Sequence, residues 1–369
     1  TGINMGACLE NRGLGKLWIS IMIVAVAIAC FSGGYIAATN LAKREETISP
    51  PPATGESVTI IDSAGKYVRV NRPVKRVVVL NSDAATAVML LNATDVVVGV
   101  GDVVVQYPEL YGNLSKRTCV GKWSSPDYEA IITLDPEIVL SYVKWPGPEA
   151  DEKLEPLGIK VVRLNFYIPS TMVRELKTLG IILGKENEAD VICRWIDNLS
   201  SLINDRLKGF KEENKVRAYL EQYSAWTVGG PGSGQYDLAV MAGLKPIGEF
   251  TTAYPKVTAE WVISENPDLI MKMITGNPFT LNASSYESVK DDISGRLSVT
   301  NAVKNNRIII LPGQLAYKPS YPIAVLCAAK FAYPELFGDV NPEVYLREYL
   351  AFLGLEYKGV WWYPQNLGG

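Results

Sequence analysis

Two glutamates, Glu129 and Glu260, stand in matching surroundings. An aromatic residue, Trp123 or Tyr254, lies six positions before each, and a proline, Pro136 or Pro267, lies seven positions after. An acidic residue and an apolar triplet follow each proline, giving WSSPDYEAIITLDPEIVL and YPKVTAEWVISENPDLIM. A carboxylate in the first turn of a helix complements the helix dipole, worth ~0.3–1 kcal/mol. An aromatic offers broad apolar contact with little rotamer entropy to lose. These are groups that recognise rather than react. A phrase repeated once at long range points to two similar lobes, not to a short-period solenoid.

The composition narrows the chemistry further. The 369 residues are 48% hydrophobic with a net charge of −3, a globular balance with no nucleic-acid footprint. No histidine is present, which removes histidine-based triads, histidine metal clusters and histidine haem ligation. With no dense carboxylate cluster either, an ectoenzyme is disfavoured and no catalytic residue or resident metal or cofactor is expected. Cys119, Cys193 and Cys327 read as plain core residues, although the spacing leaves a disulfide open. GGPGSGQ (229–235) is neither a dinucleotide fingerprint nor a Walker loop nor a nucleophile elbow. It reads as a tight strand-to-helix turn that lets backbone approach a ligand.

The elements that must position these groups follow from local pattern. Ser125-Pro126 and Thr258 predict helix starts. Asp135-Pro136 and Asn266-Pro267 predict their ends, because a residue before proline is driven from helical dihedrals. The apolar triplet beyond reads as a buried strand. Helix, turn and parallel strand is the unit of an α/β sheet. Val58 to Val70 predicts two alternating strands about an Asp62–Gly65 turn. Arg76 to Leu80, Asp95 to Val100 and Lys160 to Asn165 predict further strands, with a helix in SDAATAVMLLNA capped by Ser82 or Asp83. In residues 187–210, Val191, Ile192, Trp195, Leu199, Leu202, Ile203 and Leu207 share one helical face. At 1.5 Å per residue this helix spans ~33 Å, enough to join two lobes or to lie along one. Val216 to Tyr223 and Arg307 to Leu311 predict strands of the second lobe. The aromatic end, EYKGVWWYP, predicts a cap.

Residues 17–38 carry no charge and follow Lys16. At ~20 residues per crossing they are long enough to span a bilayer, with the basic flank inside. A signal anchor is expected, and a lipidated junction at Cys30 is the alternative. The expected organisation is a cytoplasmic N-terminus (1–16), an anchor (17–38), a Pro-rich tether (39–57), an N-terminal α/β lobe (58–186), a connecting helix (187–210) and a C-terminal α/β lobe (211–369). The folded part then lies outside the cytoplasmic membrane.

The ordered set KRVVVLNSDAATAVMLLNATDVVVGV, YEAIITLDPEIVL, TAEWVISENPDLI and AVKNNRIIIL resembles the class III solute-binding proteins of ABC importers. The resemblance runs from about Val58 to Leu311. It implies two α/β lobes joined by one long helix, with a ligand cleft between them. It also implies a permease and its ATPase as partners, and cargo such as an iron chelate of the siderophore type. Cobalamin or another corrinoid is the close alternative, molybdate a distant third, and a surface sensor or adhesin on the same fold a rival. By the same resemblance, Glu129 and Glu260 dock on permease arginines, and Trp123 and Tyr254 face the ligand. Further ligand contacts are expected just after predicted strands, where open α/β sheets bind ligands: Tyr142, Trp145, Phe166, Tyr167, Tyr223, Trp226 and Tyr317. Lys122, Lys144, Lys256 and Lys318 occupy the same loops and would suit an anionic chelate.

Overall fold

Short runs of β-branched residues set the architecture. The computed structural model describes residues 56–368. An antiparallel hairpin, β1 (Glu56–Ile61) and β2 (Tyr67–Arg72), opens it. Asp62 closes the hairpin turn by accepting from the backbone N–H groups of Ala64 and Lys66. Five parallel strands follow in the first lobe: β3 (Val77–Val79), β4 (Val97–Val100), β5 (Thr118–Cys119), β6 (Ile138–Ser141) and β7 (Lys160–Arg163). Their order is β5-β4-β3-β6-β7. Strand period decides the packing. Val77 and Val79 enter the main core, whereas Val78 and Leu80 enter a smaller one on the other face with Ile131, Val139 and Val161.

The second lobe repeats the plan with four parallel strands, β8 (Arg217–Glu221), β9 (Lys245–Pro246), β10 (Leu269–Ile274) and β11 (Ile308–Pro312), ordered β9-β8-β10-β11. A 22-residue helix, Glu186–Leu207, lies between the two sheets in sequence. It packs on Pro169–Leu183 of the first lobe and on Tyr321–Ala332 of the second. Both lobes belong to one compact unit. In the C-terminal tail Trp361 and Trp362 are buried, and Tyr363 bridges to Ile310 of β11.

The repeated phrase has one structure twice. Helix Tyr128–Thr133 precedes β6 and helix Ala259–Glu265 precedes β10. The residue before each proline is left-handed, with φ 44° at Asp135 and φ 45° at Asn266. Short polar side chains tolerate that region best among non-glycines. Thr258 caps its helix as expected, accepting from the Trp261 N–H. Ser125-Pro126 does not start the first helix. It forms a short strand against Gly121–Lys122, and Asp127 caps the helix by accepting from Ala130 N–H.

Two further expectations are corrected. Asn81, not Ser82 or Asp83, caps helix Ser82–Leu90, because its Oδ1 reaches the N–H groups of Asp83 and Ala84. That frees Asp83 for another task. Cys119 is exposed on edge strand β5, whereas Cys193 and Cys327 are buried, and no disulfide joins these three among the described residues. The glycine run is the expected turn from β8 into helix Gly234–Met241, and Gly234 at its end lies against the other lobe. A Cβ on Gly234 would sit 2.5 Å from the carbonyl oxygen of Tyr167 in the other lobe. The expected anchor and tether lie outside the described residues, apart from the tether's last two positions at the start of β1. No helix among the described residues is long and apolar enough to cross a membrane.

Candidate functional site

The carboxyl ends of the two parallel sheets face one cleft. It holds a cavity of about 580 Å³. Ser82 and Asp83 reach it from β3, Tyr142 from β6 and Tyr167 from β7. From the second lobe come Gln222 and Tyr223 after β8, Thr275 and Gly276 after β10, and Gly313 and Gln314 after β11.

The walls are aromatic. Trp123, Tyr142, Trp145, Tyr167, Tyr223, Tyr254 and Tyr317 all line the cavity, and Tyr107, which sequence reasoning missed, joins them. In the first lobe the rings meet edge to face in a chain: Trp145 to Trp123 at 5.2 Å, Trp123 to Tyr142 at 5.7 Å, Tyr142 to Tyr167 at 5.3 Å. Tyr223 and Tyr317 form a matching pair at 6.1 Å in the second. Edge-to-face packing satisfies the ring quadrupoles and fixes each ring before any ligand arrives. Trp145, Tyr223 and Tyr254 are 40%, 44% and 48% exposed. Burial raises the phenol pKa of Tyr142 and Tyr317 well above the usual value and pushes Tyr167 up to about 12. These hydroxyls therefore stay protonated as neutral donors.

A buried glutamate in each lobe holds the loop that delivers a cavity tyrosine. Glu175 accepts from the backbone N–H groups of Asn165 and Phe166, just before Tyr167. Burial lifts its pKa above the ordinary range despite those bonds. Glu221 accepts two hydrogen bonds from Arg296, at 3.0 and 2.9 Å, and lies 3.1 Å from Lys272 Nζ. Burial opposes its charge, yet Arg296 and Lys272 outweigh that and hold its pKa below the ordinary range. Lys272 also donates to the carbonyls of Gln222 and Tyr223.

Other expected contacts fall elsewhere. Trp226 lies under Arg296, its ring 4.6 Å from the guanidinium carbon, and its N–H donates to Glu221. Phe166 is fully buried in the core. Lys122, Lys144 and Lys256 are exposed and do not line the cavity. Lys318 does, but it is buried and paired with Asp83 at 2.9 Å. Among the described residues no cluster of His, Cys, Asp or Glu could hold a metal ion. Glu129 and Glu260 are exposed in the first turns of the two repeat helices, one per lobe. Neither takes part in an ion pair among the described residues. A backbone N–H and the Thr258 hydroxyl hold the Glu260 carboxyl below its usual pKa.

Residues 77–315 match the periplasmic binding protein family. The chain belongs to that family. This binding protein is 22% identical over 337 residues to the molybdate-binding protein MolA of Haemophilus influenzae, covering 81% of this chain and 92% of that one. It is 23% identical over 239 residues to a cobalamin-binding protein of Halobacterium salinarum, covering 62% of each. Among solved structures, the TroA-like periplasmic binding protein FepB of Veillonella parvula superposes with a TM-score of 0.70 at 24% identity, covering 83% of this chain and 99% of that one. The fold is thus that of class III binding proteins. The protein is an extracytoplasmic solute-binding component of an ABC importer, not an enzyme.

Proposed function

We propose that this binding protein captures a bulky metal chelate, an iron chelate of the siderophore type, and delivers it to its ABC permease. One observation carries the reading: eight aromatic side chains from two lobes surround a single cavity of about 580 Å³. Small-molecule sites are apolar clefts of ~300–1,000 Å³ with a few placed polar groups. Trp123 and Tyr254 would press on the cargo from opposite lobes, with Tyr142, Trp145, Tyr167, Tyr223 and Tyr317 completing the walls. Glu129 and Glu260 would meet arginines of the permease, since charge-assisted Arg–carboxylate pairs fix geometry. Residues 17–38 would hold the protein at the membrane. A corrinoid is the second reading, favoured by the likeness to a cobalamin-binding relative and by the broad ring surfaces.

Seven of the eight tryptophans lie beyond residue 38, so cargo in the cleft reports itself by quenching. Titration of the full chain with ferric siderophores, haem, cobalamin and molybdate should give saturable quenching by one iron chelate. Saturation by cobalamin instead selects the corrinoid, and silence from a folded protein points to a sensor or adhesin. Replacing Trp123 and Tyr254 together with alanine should weaken cargo binding more than about tenfold, from contacts worth ~0.5–1.5 kcal/mol each beyond burial. Unchanged affinity would place the cargo elsewhere.

A further inference from the structure

The cavity lining includes a charged group that the aromatic walls do not explain. Asp83 and Lys318 come from opposite lobes and are 8% and 2% exposed. Lys318 Nζ donates to Asp83 Oδ1 at 2.9 Å. The Tyr142 hydroxyl donates to Asp83 Oδ2 at 2.6 Å, and Ser82 Oγ to Oδ1 at 3.2 Å. The Lys318 ammonium also lies 5.9 Å from the centre of the Tyr111 ring. One buried carboxylate is thus held by an ammonium, a phenol and a hydroxyl, all at the edge of the ligand cavity. Burial alone would discharge Lys318, yet the facing carboxylate keeps its pKa above the ordinary value.

Donors of this kind are what a small oxyanion needs: a fixed cation, neutral hydroxyls and little competing water. We propose that Asp83 fills an oxyanion site with its own carboxylate and so sets the charge selectivity of the cleft. With Asp83 in place, Lys318 is neutralised, and among the described residues no other cationic side chain lines the cavity. An incoming oxyanion must displace a tethered carboxylate that is already desolvated and bonded. The cleft therefore refuses small oxyanions and accepts cargo of low net charge. The inference rests on the proposed cavity, because it names the charge class that this cavity takes.

Asp83→Ala tests it by removing the carboxylate while leaving Lys318 and Tyr142. In the full chain, molybdate, phosphate and sulfate should bind the wild type without saturation, read by calorimetry and by quenching of Trp123 beside Tyr142. Asp83→Ala should bind molybdate at least tenfold more tightly than the wild type, with affinity falling as salt rises. Adding Lys318→Met should abolish that gain. Asp83→Asn keeps the volume, and it should raise molybdate affinity in the same direction if Asp83→Ala does not fold. Saturable micromolar binding of molybdate by the wild type would overturn the proposal, and so would the absence of any gain in a folded Asp83 variant. Chelate titration of the wild type is read separately. Its failure would remove the chelate reading, whereas the response of the Asp83 variants to bare oxyanions needs no chelate to bind.

Discussion

Cells carrying Glu129→Ala together with Glu260→Ala are expected to lose cargo uptake while the purified double variant keeps its cargo affinity. Both carboxylates are exposed, sit in first helical turns and lie away from the cavity lining. Their removal leaves the walls untouched and costs the fold only the small dipole contribution of ~0.3–1 kcal/mol each. In the complex each would face an arginine. Truncating one partner of a desolvated charge pair costs about 2–5 kcal/mol, much of it from the charge left unpaired. Two such losses weaken docking by roughly a thousandfold or more at ~1.4 kcal/mol per decade. Each single variant should fall between, because one lobe still registers. The measurement is uptake of labelled cargo beside cargo affinity in solution. Normal uptake by the double variant would show that the matched glutamates serve only their helices.

Glu221→Ala should be the most damaging single substitution in the second lobe. The carboxylate is fully buried and gathers Arg296, Lys272, the Tyr219 hydroxyl and the Trp226 N–H. Removing it strands buried Lys272, which has no other carboxylate partner among the described residues, and leaves Arg296 with Asp292 alone. Breaking a buried pair in this way costs about 3–5 kcal/mol, a large share of the ~5–15 kcal/mol that holds a typical protein together. Lys272 also anchors the carbonyls of Gln222 and Tyr223, so cargo affinity should fall together with stability. The acid side carries a signature. The folded pKa of Glu221 lies below the ordinary carboxylate value of ~4.3. Its contribution is therefore complete above that value and is lost as pH falls through the lower folded pKa. Denaturation midpoints against pH should drop less steeply below about pH 4 in Glu221→Gln than in the wild type. A wild-type melting curve for Glu221→Ala would show that the cluster contributes nothing.

The repeated phrase made much of this protein legible before any coordinates. Matched spacing about Glu129 and Glu260 indicated two lobes, and the Asp-Pro and Asn-Pro steps ended both helices at left-handed residues. These are local effects, fixed by which dihedrals a residue and its neighbour allow. Apolar runs such as Val77 to Leu80 indicated strands buried on both faces, because successive side chains serve opposite sides. Parallel strands end at one rim, and Tyr142, Tyr167 and Tyr223, just beyond three of them, line the cavity.

Tertiary structure decided what each polar group meets. Trp226 follows a strand just as Tyr223 does, yet a left-handed φ of 64° and the Glu221 carboxylate fold its loop back under Arg296. Lys318 looked in sequence like Lys122, Lys144 and Lys256, and only the approach of the lobes set it against Asp83. Asp83 looked like a helix cap, and Asn81 took that role and released it to the cleft. A backbone preference is carried by a few adjacent residues and can be read from them. The charge of a cavity comes from pairs far apart in sequence, and it exists only once folding has closed the distance between them.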